Sequence, residues 1–354
     1  MSGLPPVAGS RALPPLLWFS AADVVAAMPP LEKRLQLAER TMVALAQPGA
    51  SELPPKIAIH PRPADAFVHA MPAHLRGPSP DEDLVGMKWV AGYASNSALG
   101  MASISAVVVL NDAATGVPVA MLDGGPITAE RTAAVSGVAI RRFGPGAGPG
   151  VTGAGAGGPG AVDAHVAIIG AGVQGRSHLP VFGGVLPGCT LHVFDRDPAR
   201  ADALATLARS TPGVAAAAVH DTARAAVEAA DVVVTAASFG PAGERQTMTN
   251  EWLRPDATVV PIDYATYCAA EVAREAALFL VDHRGQYLAN RDAGNFDGYP
   301  EPAATIGEAI LAGTARPAGR VVVSHLGVGL ADLVFADAIV RAAIAGGRGT
   351  TLPR

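Results

Sequence analysis

The segment Val166-Ala-Ile-Ile-Gly-Ala-Gly-Val-Gln-Gly175 decides the fold of this chain. Four apolar residues form a short strand, and three glycines then follow with the spacing Gly-x-Gly-x-x-Gly at the start of a helix. Gly170 allows a tight turn, Gly172 lets the backbone approach a pyrophosphate, and Gly175 permits close packing of the helix on the strand. The segment therefore predicts a Rossmann-type domain that binds a dinucleotide.

Two neighbouring features bear on the identity of the dinucleotide. Val173 and Gln174 open the helix, where free N–H groups and the helix dipole favour phosphate groups. Asp195 stands 20 residues after Gly175, at the end of the second strand, where an acid binds the ribose hydroxyls and repels a 2′-phosphate. Arg196 follows directly, and an arginine in this turn can pair with the 2′-phosphate of NADP. The pattern favours NAD and leaves NADP open, while capping of the next helix is the alternative role for Asp195.

Periodicity on either side of the fingerprint predicts two domains. Strands alternate with helices over residues 161–305, which predicts a parallel sheet covered on both faces. Residues 1–143 contain a helical stretch, then apolar runs separated by Gly, Pro, Asn and Asp, then a helix from Thr128 to Arg142, a pattern typical of an α+β domain. Residues 306–354 return to a helical pattern, and we expect them to pack back onto residues 1–143.

Residues 144–160 separate the two predicted domains and consist almost entirely of Gly, Pro and Ala. Such a composition cannot bury enough apolar surface to order itself. We interpret this stretch as a flexible linker or a surface loop.

Composition excludes several classes of function. The chain has 354 residues, enough for two domains, and a net charge of −5 without a Lys/Arg cluster, which argues against nucleic acid as a partner. Cys189 and Cys268 lie far apart, so neither a disulfide framework nor a metal site is indicated. The uncharged stretch 89–111 is interrupted by Ser, Asn and Gly, as in buried strands rather than a membrane span. We expect a cytoplasmic protein with no membrane partner.

Segments outside the fingerprint are more specific than the glycines. Together they resemble the ornithine cyclodeaminase/mu-crystallin family over residues 53–345. The resemblance implies a homodimer, a substrate-binding and dimerisation domain built from both chain ends, and chemistry at the Cα–N bond of an amino or imino acid. The segments that carry it are Met71-Pro-Ala73, Gly86-Met-Lys-Trp-Val90, Gly116-Val-Pro-Val-Ala-Met-Leu-Asp123, Ile127-Thr-Ala-Glu-Arg-Thr-Ala-Ala-Val-Ser136 and Leu326-Gly-Val-Gly-Leu-Ala-Asp332.

The same resemblance nominates two cations for the substrate site. Lys88 matches the lysine that lies beside the substrate in the family. Its apolar neighbours in the sequence would partly desolvate it and lower its pKa, which suits a group that polarises an imine or binds a carboxylate. Arg131 matches the arginine that clamps the substrate carboxylate, a task for which the bidentate guanidinium is suited. The alternatives are a solvated Lys88 and an ordinary salt bridge from Arg131 to Glu130 or Asp123.

Three further positions depart from the family pattern. Lys56 falls where several relatives have a second carboxylate-binding arginine, so the charge is kept but the fork is lost. His69 occupies a position that is acidic in ornithine cyclodeaminases, and it either has a role in the site or simply packs. The family's catalytic aspartate aligns with Ala265, whereas Asp263 stands two residues earlier and could still reach the crevice at the strand ends as a catalytic group.

Loss of both acidic positions favours one function over two others. We expect an NAD(P)-dependent oxidoreductase acting on an amino acid or a cyclic imino acid, of the ketimine or pyrroline-carboxylate reductase or amino-acid dehydrogenase type. The first alternative is a redox-neutral ornithine or lysine cyclodeaminase with tightly bound NAD. The second is a catalytically poor protein that binds a ligand and keeps the cofactor fold.

Overall fold

The computed structural model describes residues 13–63, 66–147 and 163–354, so residues 148–160 of the predicted linker lie outside the described residues. The strands are β1 Leu16–Phe19, β2 Ser51–Glu52, β3 Ile57–Ile59, β4 Phe67–Leu75, β5 Leu84–Gly92, β6 Ile104–Asn111, β7 Pro118–Asp123, β8 His165–Ile169, β9 Cys189–Phe194, β10 Val214–Val219, β11 Val232–Thr235, β12 Thr258–Pro261, β13 Leu278–Val281, β14 Ala304–Thr305, β15 Val321–Ser324 and β16 Thr350–Leu352. The α-helices are α1 Ala21–Ala26, α2 Leu31–Ala46, α3 Gly124–Phe143, α4 Val173–Val185, α5 Pro198–Arg209, α6 Ala223–Val227, α7 Ala270–Arg274, α8 Arg284–Asp292, α9 Ile306–Leu311 and α10 Gly329–Ala345.

The first sheet contains the strands of the N-terminal part together with the last strand of the chain. Its order is β16-β1-β7-β6-β5-β4-β2, with β3 also paired to β4. All of its pairs are antiparallel except β1 with β7. Helices α3 and α10 pack on one face of this sheet, so alternate side chains of β4, β5 and β6 are covered by these helices.

The second sheet is entirely parallel and has the order β10-β9-β8-β11-β12-β15-β13-β14. The predicted fold class, a Rossmann-type parallel sheet beside an α+β part, is confirmed. The expectation that residues 306–354 as a whole pack back onto residues 1–143 is wrong for Val321–Ser324. This apolar run is fully buried as a strand between β12 and β13, because a parallel sheet covered on both faces accepts continuous apolar segments.

Helix α3 connects the two sheets. It begins at Gly124 rather than at Thr128, because Asp123 caps it by accepting a hydrogen bond from the N–H of Gly125 at 2.9 Å. At Gly137 an added Cβ would lie 2.5 Å from Leu35 of α2 and 2.8 Å from Val181 of α4. The close approach of three helices makes the cores of both sheets continuous, and so sets the position of α3 relative to the nucleotide-binding sheet.

Membrane-spanning helices and metal-binding clusters are both absent from the described residues. None of their helices combines the length and the apolar character that crossing a membrane requires. No group of three or more His, Cys, Asp and Glu side chains in the described ranges is arranged to hold a metal ion.

Candidate active site

Lys88 lies at the centre of the first sheet, in β5. Side chains alternate along a strand, so Met87 and Trp89 point to the other face of the sheet, where Trp89 is 45% exposed. The prediction that the adjacent residues in the sequence bury the lysine is therefore wrong. Helices α3 and α10 cover Lys88 instead, and it is 1% exposed. Burial lowers the pKa of Lys88 to about 7, with Asp332 opposing the shift and Arg131 adding to it.

A buried carboxylate joins the two cations that the sequence singles out. Asp332, in the first turn of α10, is fully buried and places its Oδ2 2.7 Å from Lys88 Nζ. Its Oδ1 accepts a hydrogen bond from Arg131 Nε at 3.0 Å. Lys88 also donates to Thr128 Oγ1 at 3.4 Å. Two cations around one carboxylate leave a net positive charge away from water, which favours the carboxylate of a ligand.

The alternative partners of Arg131 are engaged elsewhere. Glu130 pairs with Arg34, on α2, and Asp123 accepts the capping hydrogen bond at the start of α3. Arg131 is 5% exposed and turns toward Asp332. An ordinary surface salt bridge therefore does not describe this arginine.

The backbone turn at Leu326 and Gly327 touches Arg131 and is held from the second sheet. Asp282, which follows β13, accepts hydrogen bonds from the N–H groups of Leu326 at 2.9 Å and Gly327 at 2.8 Å. Gln286 of α8 donates to the carbonyl of Gly327 at 3.0 Å. Gly327 has φ +76°, and a Cβ there would lie 2.1 Å from Arg131 Nη1, so only glycine fits. The turn thus sets the guanidinium relative to the second sheet.

Lys56 and His69 lie near this cluster, at the edge of the first sheet. Lys56 Nζ donates to the hydroxyl of Tyr264 and to the carbonyl of Leu326, both at 2.8 Å. His69 stacks on Phe67 with ring centroids 4.6 Å apart. Burial, and then the charge of Lys56, lowers the pKa of His69 to about 4. His69 is therefore neutral near pH 7 and supplies no fixed negative charge.

Asp263 follows β12 and is 5% exposed. Burial raises the pKa of Asp263 to about 6, although the Thr235 hydroxyl and the backbone N–H groups of Ala237, Thr266 and Tyr267 lie near enough to oppose the shift. Its neighbour Tyr267 also interacts with Arg196 in the crevice of the second sheet. Within the described ranges, no ion pair or hydrogen bond joins Asp263 to Lys88. The structure thus places Asp263 on the cofactor side of the site.

The glycines of the fingerprint lie between β8 and α4. Gly170 has φ +108°, and a Cβ there would lie 2.5 Å from the carbonyl oxygen of Ala236. A Cβ at Gly175 would lie 2.4 Å from the carbonyl oxygen of Gly170, so the helix packs tightly on the strand. Gly172 caps the helix that starts at Val173, and the space beside it is open. This geometry leaves room for a pyrophosphate at the helix N-terminus.

A cavity of about 340 Å³ opens beside the fingerprint. Asp195 borders it, and its carboxylate accepts hydrogen bonds from the N–H of Ala171 at 2.7 Å and of Asp197 at 2.9 Å. Each carboxylate oxygen accepts more than one hydrogen bond, so ribose hydroxyls can bind as well. The cavity lining includes Gly170, Gly172, Asp195, Arg196, Arg200 and Tyr267.

Polar groups at the carboxyl ends of β11, β12 and β15 also fit a dinucleotide. His325 Nδ1 is buried without a hydrogen-bond partner among the described residues, and Thr235 and Asp263 are buried beside each other at the ends of β11 and β12. These ends lie on the side of β8 away from Asp195, where the second half of a dinucleotide falls in this fold. An unsatisfied buried group costs about 1–3 kcal/mol, so a ligand with its own donors and acceptors would be stabilised there.

The protonation of His325 follows from a chain of buried hydrogen bonds. The carbonyl of Gln174 only accepts, so His178 Nδ1, 2.6 Å away, carries the hydrogen, and His178 Nε2 accepts from Ser136 Oγ at 2.8 Å. Ser136 in turn accepts from His325 Nε2 at 2.9 Å. Burial lowers the pKa of both histidines, so both rings stay neutral. His325 Nδ1 therefore presents a lone pair that accepts a ligand hydrogen.

Fold and site together define a dinucleotide-binding protein with a buried cationic cluster beside the crevice. The chain belongs to the ornithine cyclodeaminase/mu-crystallin family, whose model matches residues 22–310, and the resemblance seen in the sequence is confirmed. It is 32% identical over 347 residues to nodulation efficiency protein NfeD of Rhizobium meliloti, covering 95% of this chain and 98% of the relative. Ketimine reductase mu-crystallin of Mus musculus is 28% identical over 280 residues, or 77% and 79% of the two chains.

A solved structure shares the whole fold. Thermococcus litoralis Δ1-pyrroline-2-carboxylate reductase, in complex with NADH and L-proline, superposes with a TM-score of 0.78 at 23% sequence identity. The match covers 95% of this chain and 100% of that chain. Both sheets are therefore shared with this neighbour.

Asp332 and Tyr264 are among the residues of the site that the sequence analysis did not predict. Asp332 is the sole charged residue in the stretch 326–334. An acid in such an apolar stretch is unusual, and this pattern could have identified Asp332 as a buried functional residue. Tyr264 gives no such signal, because its partner Lys56 is 208 residues away in the chain.

Replacing Gly327 with alanine tests whether the turn positions Arg131. The added Cβ would overlap the guanidinium, and we expect the free energy of unfolding, measured in urea, to fall by about 3 kcal/mol. Gly347→Ala is the matched control, because Gly347 has a similar φ of +67° with nothing within 4 Å of an added Cβ. Backbone strain alone should cost this control about 1 kcal/mol. Equal losses in the two variants would contradict the steric contact.

Proposed function

We propose that this protein is an NAD(P)-dependent oxidoreductase that acts on the Cα–N bond of an amino acid or a cyclic imino acid. The buried cluster of Lys88, Asp332 and Arg131 carries the proposal. Its net positive charge lies beside the carboxyl ends of the Rossmann strands, where a ligand carboxylate would hold its own Cα near the cofactor. The ketimine reductase among the relatives and the pyrroline-carboxylate reductase among the structures support this assignment.

In this proposal each cation of the site has a different role. Arg131 uses Nε to bind Asp332, and its Nη groups are left to hold the substrate carboxylate, assisted by Lys56. Lys88, with its lowered pKa, donates a proton to the imine nitrogen during reduction and accepts it back during oxidation. The bound nicotinamide cofactor supplies or takes the hydride at the substrate Cα.

NAD is the cofactor that we propose. Asp195 lies in the cavity beside the fingerprint with lone pairs free for ribose hydroxyls, and the pyrroline-carboxylate reductase was solved with NADH. Arg196 and Arg200 line the same cavity and would suit the 2′-phosphate of NADP, which is the second choice.

Two positions favour a reductase or dehydrogenase over a cyclodeaminase. His69 is neutral near pH 7 in place of an acid. Ala265, aligned with the family's catalytic aspartate, is 1% exposed and packs in the apolar core of the second sheet. Neither position offers the carboxylate that cyclisation of a diamine needs near the substrate amine. A second role for Asp263, as a catalytic group, stays a prediction.

The homodimer is part of the proposal and is supported by the outer face of the first sheet. Ile57, Ile59 and Trp89 lie on the face opposite Lys88 and are 63%, 54% and 45% exposed. Large exposed apolar side chains grouped on one sheet face are typical of an interface between subunits. The cytoplasmic location stays a prediction.

A substrate panel tests the proposed function. We expect the purified protein to oxidise NADH or NADPH stoichiometrically with pyrroline- or piperideine-carboxylate, or to reduce NAD with ornithine, lysine or alanine, as followed by nicotinamide absorbance and ammonia release. Ammonia released from a diamine without a net absorbance change would establish a cyclodeaminase instead. Cofactor binding without turnover on any member of the panel would leave a ligand-binding protein.

Substitution of the two cations tests the site. We expect Lys88→Met and Arg131→Ala to lower kcat/KM by at least about 100-fold, because each removes a charge that acts on the reacting substrate. Binding of NADH, measured by fluorescence titration, should be unchanged in both. Lys33→Met, which removes an exposed lysine of α2, is the control. Retained turnover in both site variants would refute the assignment.

The pH dependence follows from the state of Lys88. Its pKa is lowered to about 7, so the ammonium form that donates the proton is present below pH 7 and is lost above it. We expect kcat/KM for imine reduction to fall about tenfold per pH unit above 7, and the oxidative direction to gain over the same range. A flat profile for reduction between pH 6 and 9 would exclude Lys88 as the proton donor.

A further inference from the structure

Lys56 reaches from the first sheet to the loops of the second. It precedes β3, whereas Tyr264 follows β12 and Leu326 follows β15. The ammonium donates to the Tyr264 hydroxyl and to the Leu326 carbonyl, both at 2.8 Å. The Tyr264 hydroxyl also donates to the Leu326 carbonyl, at 3.3 Å. The three groups form a closed triangle of hydrogen bonds that spans the cleft between the first sheet and the loops of the second.

Both acceptors of Lys56 are held firmly. Leu326 is fixed through the hydrogen bond of its N–H group to Asp282. The Tyr264 ring packs between Phe239 and Phe296, with centroids 6.2 Å and 6.0 Å away. A lysine side chain alone has a large rotamer freedom. Two rigid acceptors restrict it and give the ammonium one defined position.

The backbone at Tyr264 is strained in a way that serves this contact. Tyr264 has φ +55° and Ala265 has φ +58°, a region that residues with a Cβ rarely adopt. Such strain persists only where surrounding contacts determine it, and it clusters at ligand sites. Here the strained turn directs the hydroxyl of Tyr264 across the cleft to Lys56.

The geometry leaves one N–H of Lys56 for a ligand. An ammonium carries three donors, and two of them are used by Tyr264 and Leu326. The third donor has no hydrogen-bond partner among the described residues, and the charge of Lys56 acts on His69 and Lys88 of the first sheet and on Asp282 of the second. A substrate carboxylate between Lys56 and Arg131 would receive hydrogen bonds from both.

We propose that Tyr264 is a positioning residue that sets the preference of this site for carboxylate substrates. Its hydroxyl holds the Lys56 ammonium across the cleft, so that the remaining N–H points at the substrate carboxylate. The proposal rests on the proposed function. Tyr264 acts through Lys56 and takes no part in proton or hydride transfer, so its loss affects substrate binding rather than the chemical step.

Binding of a matched pair of ligands tests the proposal. Calorimetry with NADH present compares pyrrole-2-carboxylate with pyrrole-2-carboxamide, which has the same shape without the charge. We expect Tyr264→Phe to weaken carboxylate binding by roughly tenfold, the effect of one hydrogen bond to a charged group, and to leave carboxamide binding unchanged. With an imino-acid substrate KM should rise by a similar factor, while kcat stays within about twofold.

Controls separate positioning from a general loss of structure. Tyr93→Phe removes the hydroxyl of another tyrosine, directly after β5, and should leave the binding of both ligands unchanged. Lys56→Met should weaken carboxylate binding, and Lys56→Met combined with Tyr264→Phe should be no weaker than Lys56→Met alone, because Tyr264 acts only through the lysine. Thermal unfolding confirms that each variant is folded.

The outcomes distinguish this proposal from the proposed function. An unchanged preference for the carboxylate in Tyr264→Phe, with normal turnover in the parent protein, would overturn the role of Tyr264 and leave the oxidoreductase standing. Additive losses in the double variant would show that Tyr264 contacts the ligand independently and would equally overturn it. A parent protein that neither binds the carboxylate nor turns over any substrate would overturn both proposals.

Discussion

The site depends on one buried carboxylate that holds two buried cations. Asp332 binds Lys88 at 2.7 Å and Arg131 at 3.0 Å, and the three residues are at most 5% exposed. Removal of one member of such a group leaves an uncompensated buried charge, which costs several kcal/mol. Because the members come from β5, α3 and α10, the same contacts join the end of the chain to the first sheet. Packing of the C-terminal helix on the first sheet and assembly of the site therefore depend on the same contacts.

The second constraint is the placement of this cluster relative to the nucleotide crevice. Helix α3 packs on α2 and α4 at Gly137, and the turn at Gly327 presses on Arg131 from the second sheet. The hydrogen bonds that reach this turn from Asp282 and Gln286 start on the second sheet's own elements. A ligand carboxylate held by Arg131 would consequently be held at a set distance from the strand ends. Hydride transfer requires such a geometry, because the two reacting carbons must meet.

The differences from the family pattern form a consistent set. A neutral His69 and a buried Ala265 remove negative charge from the site, and Lys56, bound to Tyr264, keeps the positive charge of the family's arginine. These changes lower the suitability of the site for a diamine, which carries a second positive charge. The cations of the site stay available for the α-carboxylate that amino acids and cyclic imino acids share. The fold shared with the pyrroline-carboxylate reductase is compatible with either chemistry, so the side chains carry the distinction.

The sequence by itself determined the Rossmann sheet, the family, and the choice of Lys88 and Arg131. The Rossmann sheet follows from local spacing and periodicity, whereas Lys88 and Arg131 were implied by short motifs that resemble the family. Only the tertiary structure decided that Val321–Ser324 enters the second sheet, that Asp332 joins the two cations, and that Tyr264 meets Lys56. It also decided what buries Lys88, since the neighbours in sequence lie on the opposite face of the strand. Contacts between residues 200 or more apart depend on how helices and sheets pack, and no local pattern encodes that packing.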